Sequence, residues 1–328
     1  MRLLVCGGAG FIGSNFVRLR VRDHGDDVVV LDKLTYAGRR ENIQDVKHEF
    51  VHGAIEDPRA AAEAMEGVDA VVNFAAETHV DRSIAEPDAF VKTHAVGTYV
   101  LLETARAHNV RYLQVSTDEV YGSIAEGSFT EESPLAPSSP YSATKAGADL
   151  LVSGYHHTYG LETLICRGSN NYGPYQYPEK LIPLMVLNAL HGDKLPVYGD
   201  GMNVRNWLYV EDFARGIGHV LEHGVPGEAY NVGGPDECPN IEVVKGILEH
   251  TGAGDELIEY VTDRPGHDRR YSLGSEKVRA LGWEAQVRFS DGLERTVAWY
   301  RDNAWWWEPI RSGDYRAYYE RQYGRALG

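Results

Sequence analysis

Residues 2–23, RLLVCGGAGFIGSNFVRLRVRD, pass in one step from an apolar run to a glycine cluster to a mixed apolar and basic stretch. Leu3 to Cys6 read as a buried strand, the glycines as a turn, and the residues from near Phe11 as a helix. Gly7, Gly10 and Gly13 have the spacing G-x-x-G-x-x-G. Such glycines permit a tight turn, a close backbone approach to a pyrophosphate and close packing of helix on strand. The pattern alone is weak. What strengthens it is DVVVLDK, residues 27–33, a second apolar run ending in Asp32 where a carboxylate can take the ribose hydroxyls of NAD. Asp32 would repel the extra phosphate of NADP, although Lys33, Arg39 and Arg40 lie close enough to blunt that repulsion. NAD is the expected cofactor.

Further apolar runs end in small or polar residues: HEFVHGAIED (48–57), VDAVVNFAAETHVDRS (68–83), VRYLQVSTDEVYG (110–122) and LETLICRGSNNYGP (161–174). Helical segments separate them. This alternation predicts an α/β fold with a doubly wound, Rossmann-type parallel sheet, its ligands beyond the carboxyl ends of the strands. From about residue 168 the chain turns to Gly, Pro, Asn and Tyr before helix and short strands return. A nucleotide-binding domain over 1–167 and a smaller α/β, mainly substrate-binding domain over 168–328 are expected, with an interleaved boundary.

The chain of 328 residues carries a formal net charge of -16, which argues against a nucleic-acid footprint of clustered Lys and Arg. Cys6, Cys166 and Cys238 are too few and too scattered for a disulfide framework or zinc site, and read as small fillers in a reducing compartment. No apolar span of about 20 residues and no secretory leader is visible, so a soluble cytoplasmic protein is expected. No His, Cys or Asp spacing suggests a metal, and His79 reads as structural. Trp305, Trp306 and Trp307, in WWWEPI, read as one or two rings packed on the body of the domain with another capping an edge.

Two local patterns could carry chemistry. VSTDEVYGSI, residues 115–124, sets Asp118 and Glu119 side by side at a strand end, after Ser116 and Thr117. Read alone, the pair is equally a solvated acidic turn. SSPYSATKAGADLLVSGYHHTYG, residues 138–160, reads as a helix carrying Tyr141 and Lys145 four apart and so on one face. Alone it is an ordinary amphipathic helix; beside a dinucleotide fingerprint it reads as a base and its tuning cation. A tyrosine must drop roughly three units to act as a base at neutral pH, and a lysine about 4 Å away supplies about that at an effective dielectric near 20.

GGAGFIG (7–13), YSATK (141–145), TDEVYG (117–122), AAETHVDRS (75–83), NNYGPYQYPEKLIPL (170–184) and RPGHDRRY (264–271) together resemble the extended short-chain dehydrogenase/reductases, and within them the nucleotide-sugar 4,6-dehydratases. The resemblance covers nearly the whole chain. It implies a lyase of deoxysugar biosynthesis that uses NAD to oxidise carbon 4 of a nucleotide-linked glucose, eliminates water across carbons 5 and 6, and returns the hydride to carbon 6. The catalytic set it implies is Thr117, Asp118, Glu119, Tyr141 and Lys145. Tyr141 takes the carbon 4 hydroxyl proton, Lys145 tunes it, Glu119 removes the carbon 5 proton and Asp118 protonates the departing hydroxyl. Adjacent acids with opposite jobs need environments that push their pKa values apart. The implied substrate is dTDP-glucose, with UDP- or CDP-glucose, a nucleotide-sugar epimerase or decarboxylase, and a non-catalytic NAD-binding sensor as alternatives.

By the same resemblance Gly7, Gly10, Phe11, Ile12 and Gly13 lie at the pyrophosphate. Asp32, Lys33, Leu34 and Thr35 hold the adenosine ribose, and Ala54 and Ile55 flank the adenine. Phe74, Ala75, Ala76, Thr78, Thr93 and Asn171 line the dinucleotide with Tyr141 and Lys145. Thr78, Thr117, Asn170, Lys180, Leu181, Pro196, Tyr198, Arg205, Asn240, Arg264 and His267 surround the sugar nucleotide. Two positions depart from the family pattern, Ala54 for Asp and His94 for Asn. Losing the first contact should weaken NAD binding by about 1 kcal/mol. The segments 87–109 and 140–159 carry apolar faces, and the resemblance implies a homodimer through a four-helix bundle.

Overall fold

The computed structural model describes residues 1–263 and 268–312. Its strands are β1 (Arg2–Cys6), β2 (Asp27–Asp32), β3 (Glu49–His52), β4 (Ala70–Asn73), β5 (Arg111–Thr117), β6 (Thr163–Gly168), β7 (Asn170–Tyr172), β8 (Leu195–Tyr198), β9 (Val204–Tyr209), β10 (Ala229–Val232), β11 (Asp236–Pro239) and β12 (Ile258–Val261). Seven form one sheet in the order β10-β6-β5-β4-β1-β2-β3, and every neighbouring pair is parallel. The strands are covered on both faces, as their unbroken apolar runs require. Leu3, Val5, Val30, Val72 and Leu113 face the helix Phe11–Arg22 through Phe16 and the helix Val210–His223 through Phe213 and Ile217. Leu4, Val29, Val71 and Tyr112 face the opposite way, toward Leu101 and Val152.

The strand order reverses between β1 and β4, and loops leaving opposite faces there open a crevice at the carboxyl edge. β2 and β4 flank β1, so the segments after these three strands share that crevice.

Residues beyond 168 do not form a unit apart. β10, the helix Val210–His223, Val278 and Trp283 complete the core of the seven-stranded sheet. A second core gathers Tyr172, Ile182, Met185, Trp207, Val244, Leu293 and Tyr300 around a small sheet in which β7 runs parallel and β11 antiparallel to β9. β8 and β12 pair in parallel at its side.

The tryptophan run packs as its sequence suggested. Trp306 and Trp307 are buried, and Trp305 is 49% exposed. Trp306 also reaches the nucleotide side. Its indole N–H donates to Asn42 Oδ1 at 2.6 Å, Asn42 Nδ2 donates to the Ala9 carbonyl at 2.7 Å, and Arg39 donates to the Trp306 carbonyl at 3.1 Å. A C-terminal helix is thereby pinned to the glycine turn. Trp306→Phe keeps most of the ring volume but leaves a buried amide oxygen without its donor. It should destabilise the protein by about 1–3 kcal/mol, seen as a lower urea midpoint; an unchanged midpoint would show that this bond holds nothing.

Candidate active site

The glycine turn is built as the spacing foretold. Gly7 has φ 72°, and a Cβ there would lie 2.6 Å from the Ala75 backbone nitrogen. A Cβ on Gly13 would come within 2.3 Å of the Gly7 carbonyl oxygen. The helix Phe11–Arg22 starts at Gly10 with no side-chain cap and no acid in its first turn, which leaves N–H groups and dipole for an anion. Asp32 accepts from the backbone nitrogens of Ala9 at 3.0 Å and Leu34 at 2.8 Å, and burial raises its pKa. These residues fit a dinucleotide: a backbone trough too narrow for side chains, an open helix N-terminus, and a carboxylate at the end of β2.

One cleft collects most of the expected site. Gly7, Gly10, Phe11, Ile12, Gly13, Asp32, Lys33, Thr35, Ile55, Phe74, Ala75, Ala76, Thr78 and Thr93 line one end. Thr117, Asp118, Glu119, Tyr141, Lys145, Asn170, Asn171 and Lys180 line the other. Tyr36, Gly38, Glu77, Ser116, Gln176 and Tyr177 join them without having been singled out from the sequence. All but Gly38 sit in a quoted motif or, for Tyr36, next to Thr35, which is the signal that was available. Leu34, Ala54, Leu181, Pro196, Tyr198, Arg205 and Asn240 are not on the wall of this cleft. Leu181 opens a helix, Pro196 and Tyr198 lie in β8, and Asn240 opens the helix Asn240–Thr251. Arg264 and His267 fall outside the described residues.

The helix Pro140–Tyr159, which carries Tyr141 and Lys145, is set by its ends. Ser139 Oγ accepts from the Ser142 nitrogen at 3.1 Å while Ser142 Oγ accepts from the Ser139 nitrogen at 3.0 Å, Pro140 fills the first position, and Gly160 at φ 68° ends the helix. Tyr141 and Lys145 are buried on its inner face. Lys145 Nζ donates to the Val115 carbonyl at 2.6 Å; burial lowers its pKa to about 8, against the charge of Asp149. Tyr141 differs from expectation. Burial, then the charge of Glu119, push its pKa up, a hydrogen bond with Thr117 opposes them, and Lys145 is not among the main influences. The ammonium is turned to the β5 carbonyl, so the protein alone does not supply the expected depression.

Asp118 and Glu119 open a single helical turn capped by Thr117, whose hydroxyl accepts from the Glu119 nitrogen at 3.3 Å and donates to Asp118 Oδ1 at 3.2 Å. The neighbours are unequal. Asp118 is 2% exposed, its Oδ2 has no partner among the described residues, and Glu119 is only partly buried. Burial and the adjacent Glu119 raise the Asp118 pKa to about 7, with Arg205 and Thr117 pulling the other way. Asn170 Oδ1, Asn171 Oδ1 and Ser116 Oγ are likewise buried without partners among the described residues, so the cleft presents several unsatisfied polar atoms.

His94 is 2% exposed, its Nδ1 lies 2.8 Å from Thr144 Oγ1, and its ring meets Tyr141 edge-on at 5.8 Å. Burial, then the nearby Lys145 charge, hold its pKa well below the usual range, so it packs as a neutral ring behind the helix Pro140–Tyr159. Ala54 presents no carboxylate to the cleft. Cys6 and Cys166 are buried and Cys238 is half-buried; all three are free thiols. Among the described residues no cluster could hold a metal, and no helix is long and apolar enough to cross a membrane.

A glycine-turned parallel sheet with a tyrosine–lysine helix at its carboxyl edge defines a nucleotide-dependent oxidoreductase fold of the extended short-chain type. Comparison with known proteins narrows the class. Residues 4–296 match the family model described as GDP-mannose 4,6 dehydratase, and the chain belongs to that family. It is 52% identical over 325 residues to a dTDP-glucose 4,6-dehydratase of Streptomyces niveus, covering 96% of this chain and 97% of that protein. A solved dTDP-glucose 4,6-dehydratase of Streptomyces venezuelae with NAD bound superposes with a TM-score of 0.92 at 54% identity, covering 94% of this chain and all of that one (100%). A Thermus thermophilus UDP-glucose 4-epimerase in complex with NAD reaches a TM-score of 0.86 at 32% identity, covering 92% of this chain and 100% of that one.

An acid whose folded pKa is raised keeps its proton where the unfolded chain has lost it, so stability falls as pH rises from the ordinary aspartate range toward about 7. Asp118→Asn removes that dependence. Its urea midpoint should match the parent near pH 4 (about the unfolded value) and lie higher above neutrality, the unfolding free energy being larger there by an amount on the order of a few kcal/mol. A variant with the same advantage at every pH would show that Asp118 does not titrate there.

Proposed function

We propose that the protein is an NAD-dependent hydro-lyase that converts dTDP-glucose to its 4-keto-6-deoxy product. The observation that carries the reading is the unequal acid pair: Asp118 buried and pushed up to about 7, with the more accessible Glu119 adjoining it and Tyr141. Oxidation or epimerisation at carbon 4 needs a hydroxyl, a tyrosine and a lysine; an acid beside a base is needed when something is eliminated. The epimerase shares the fold, so the acid pair, not the architecture, separates the readings. The same chemistry on UDP- or CDP-glucose is the alternative substrate assignment.

The residues divide the work. Gly7, Gly10, Phe11, Ile12, Gly13 and Asp32 would hold the dinucleotide, with Thr78, Thr93 and Asn171 along it. Bound NAD supplies the acceptor and donor of the hydride and a positive charge that favours the tyrosinate. Thr117 orients the carbon 4 hydroxyl toward Tyr141, which accepts its proton. The resulting ketone acidifies carbon 5, Glu119 removes that proton, and Asp118 delivers its own to the leaving carbon 6 hydroxyl. Lys145 and its Val115 contact fix the helix that carries Tyr141. Arg205, whose charge is felt at Asp118, and Lys180 would meet the diphosphate. The nucleotide part is assigned to 1–167 and the mainly sugar-nucleotide part to 168–328, with an interleaved boundary. Three free cysteines support a cytoplasmic assignment.

Purified protein with dTDP-glucose and substoichiometric NAD should yield a ketone lighter by one water without net reduced cofactor. Stoichiometric NADH would overturn the reading. Glu119→Gln should lose about 10²- to 10⁴-fold in rate and stop deuterium exchange at carbon 5. Asp118→Asn should retain that exchange while water loss slows; Tyr141→Phe should abolish both. In the parent, water loss should decline as pH rises through about 7, where Asp118 gives up its proton. Unimpaired elimination by Glu119→Gln would return the acids to a solvated turn.

We also assign a homodimer formed through a four-helix bundle. Val91, Val96 and Tyr99, at 46%, 44% and 49% exposure, lie on one of the two helical segments concerned, and Leu150 at 63% and Tyr159 at 55% on the other. The two segments pack together, with Tyr155 donating to Glu103 at 2.8 Å, so these side chains can form one surface for a second copy. Sedimentation should give a dimer at micromolar concentration and a monomer for Leu150→Glu; a monomeric parent would refute the assignment.

A further inference from the structure

Residues 173–180, GPYQYPEK, lead from β7 to the helix Leu181–His191 and wall the cleft through Gln176, Tyr177 and Lys180. The root of the segment is anchored in aromatic packing. Tyr175, at φ 68°, meets Trp299 and Trp306 with ring centroids at 4.7 and 5.7 Å and lies under the Arg18 guanidinium at 3.9 Å. Asn15 donates to the Pro174 carbonyl at 3.1 Å, and Tyr300 donates to the Gln176 carbonyl.

The far end is held by one carboxylate. The Glu179 side chain is fully buried. Its Oε1 accepts from the Tyr36 hydroxyl at 2.8 Å, its Oε2 accepts from Arg82 at 3.2 Å, and His79 Nε2 lies 3.9 Å away. Arg82 also lies 3.9 Å over the Tyr36 ring, which Tyr177 meets edge-on at 5.2 Å. Beside them Lys180 donates to the Thr78 carbonyl at 2.6 Å. Tyr36 follows β2, and Thr78 to Arg82 follow β4. These strands flank β1 and its glycine turn, so the contacts of Glu179 join the two rims of the dinucleotide trough.

We propose that Glu179 latches residues 173–180 as a strap that gates entry and exit of the dinucleotide. The inference rests on the NAD-dependent reading above. A reaction that returns its cofactor to the starting state need not release it at each turnover, and release after the first hydride transfer would leave a dead enzyme. The latch is made of the protein's own groups, so it opposes entry as it opposes exit. Contacts to the nucleotide itself would slow exit alone.

Stopped-flow binding and displacement of NADH on the full chain, followed by its fluorescence, tests this. Glu179→Gln loses the charge that Arg82 pairs with, and Tyr36→Phe loses the hydroxyl while keeping the ring. Each should raise both the association and the dissociation rate by about tenfold, with a smaller change in affinity, and the double variant should exceed either single one, because Glu179→Gln keeps an amide oxygen for the Tyr36 hydroxyl and the two changes remove different contacts of one carboxylate. Tyr36→Phe serves if Glu179→Gln does not fold. Rates unchanged in both variants would overturn the latch alone, as would faster dissociation with unchanged association, which marks ordinary structural support. A parent that binds no NADH would overturn the cofactor reading together with the latch.

Discussion

One buried cation, Arg167 near the end of β6, holds together the elements that carry Tyr141 and the Asp118–Glu119 pair. Its Nε donates to Asp149 Oδ2 at 2.9 Å on the helix Pro140–Tyr159, and its Nη1 donates to the Tyr121 hydroxyl at 2.7 Å on the turn that follows the acids. Tyr121 passes the chain on to Asn231 Oδ1 at 2.8 Å in β10. Burial works against the guanidinium, yet Asp149 and Tyr121 more than offset it and its pKa rises. A network of this kind is held by every member: removing Arg167 would strand Asp149 in the core, at a cost of about 3–5 kcal/mol. The spacing between Tyr141 and the acid pair is thus inherited from groups that never face a substrate.

The same dryness shifts the ionisation of Asp118 and Lys145. Burial is the first cause both of the rise at Asp118 to about 7 and of the fall at Lys145 to about 8. The signs are opposite because a low dielectric disfavours charge of either kind. An acid and a base starting far apart are brought close together near neutrality by one environment. Position within that environment then distinguishes the two carboxylates, since β5 ends by directing Asp118 inward and leaving Glu119 toward the cleft. Arg205 supplies a counterweight: its positive charge limits how far the Asp118 pKa climbs.

Much of this was legible in the sequence wherever a role is fixed by local backbone. The glycine turn, Asp32 at the end of β2, and Tyr141 with Lys145 one turn apart all belong to single strand-turn or helix units, so spacing alone locates them. What depends on distant packing was not legible. The run AYNV gives no sign that β10 joins the first sheet, nor that Phe213 and Trp283 complete its core. The pair Asp118–Glu119 is written as two equal acids; only the fold makes one dry. Lys145 is four residues from Tyr141 in any helix, but its turn toward the Val115 carbonyl depends on where β5 lies. Family likeness sets Pro196, Tyr198 and Asn240 around the ligand; they lie in β8, which pairs with β12, and at the start of the helix Asn240–Thr251, positions that no local spacing in the sequence reveals.

The tryptophan run shows how a feature without chemistry can bear on chemistry. Trp306 packs against Tyr175 at the root of residues 173–180 and at the same time bonds to Asn42, which bonds to Ala9 in the glycine turn. Arg18, on the helix that begins at that turn, lies 3.9 Å over the Tyr175 ring. The floor of the dinucleotide trough and the root of the segment above it therefore share one aromatic block. Dispersion and a buried hydrogen-bond chain resist separation of the two, since opening would expose several large rings at once. Polar contacts among Tyr36, Arg82, Glu179 and Lys180 hold the stretch that enters the helix Leu181–His191 instead. The root of the segment is thus held by rings and its far part by polar groups, at the rim where the strands β2 and β4 end.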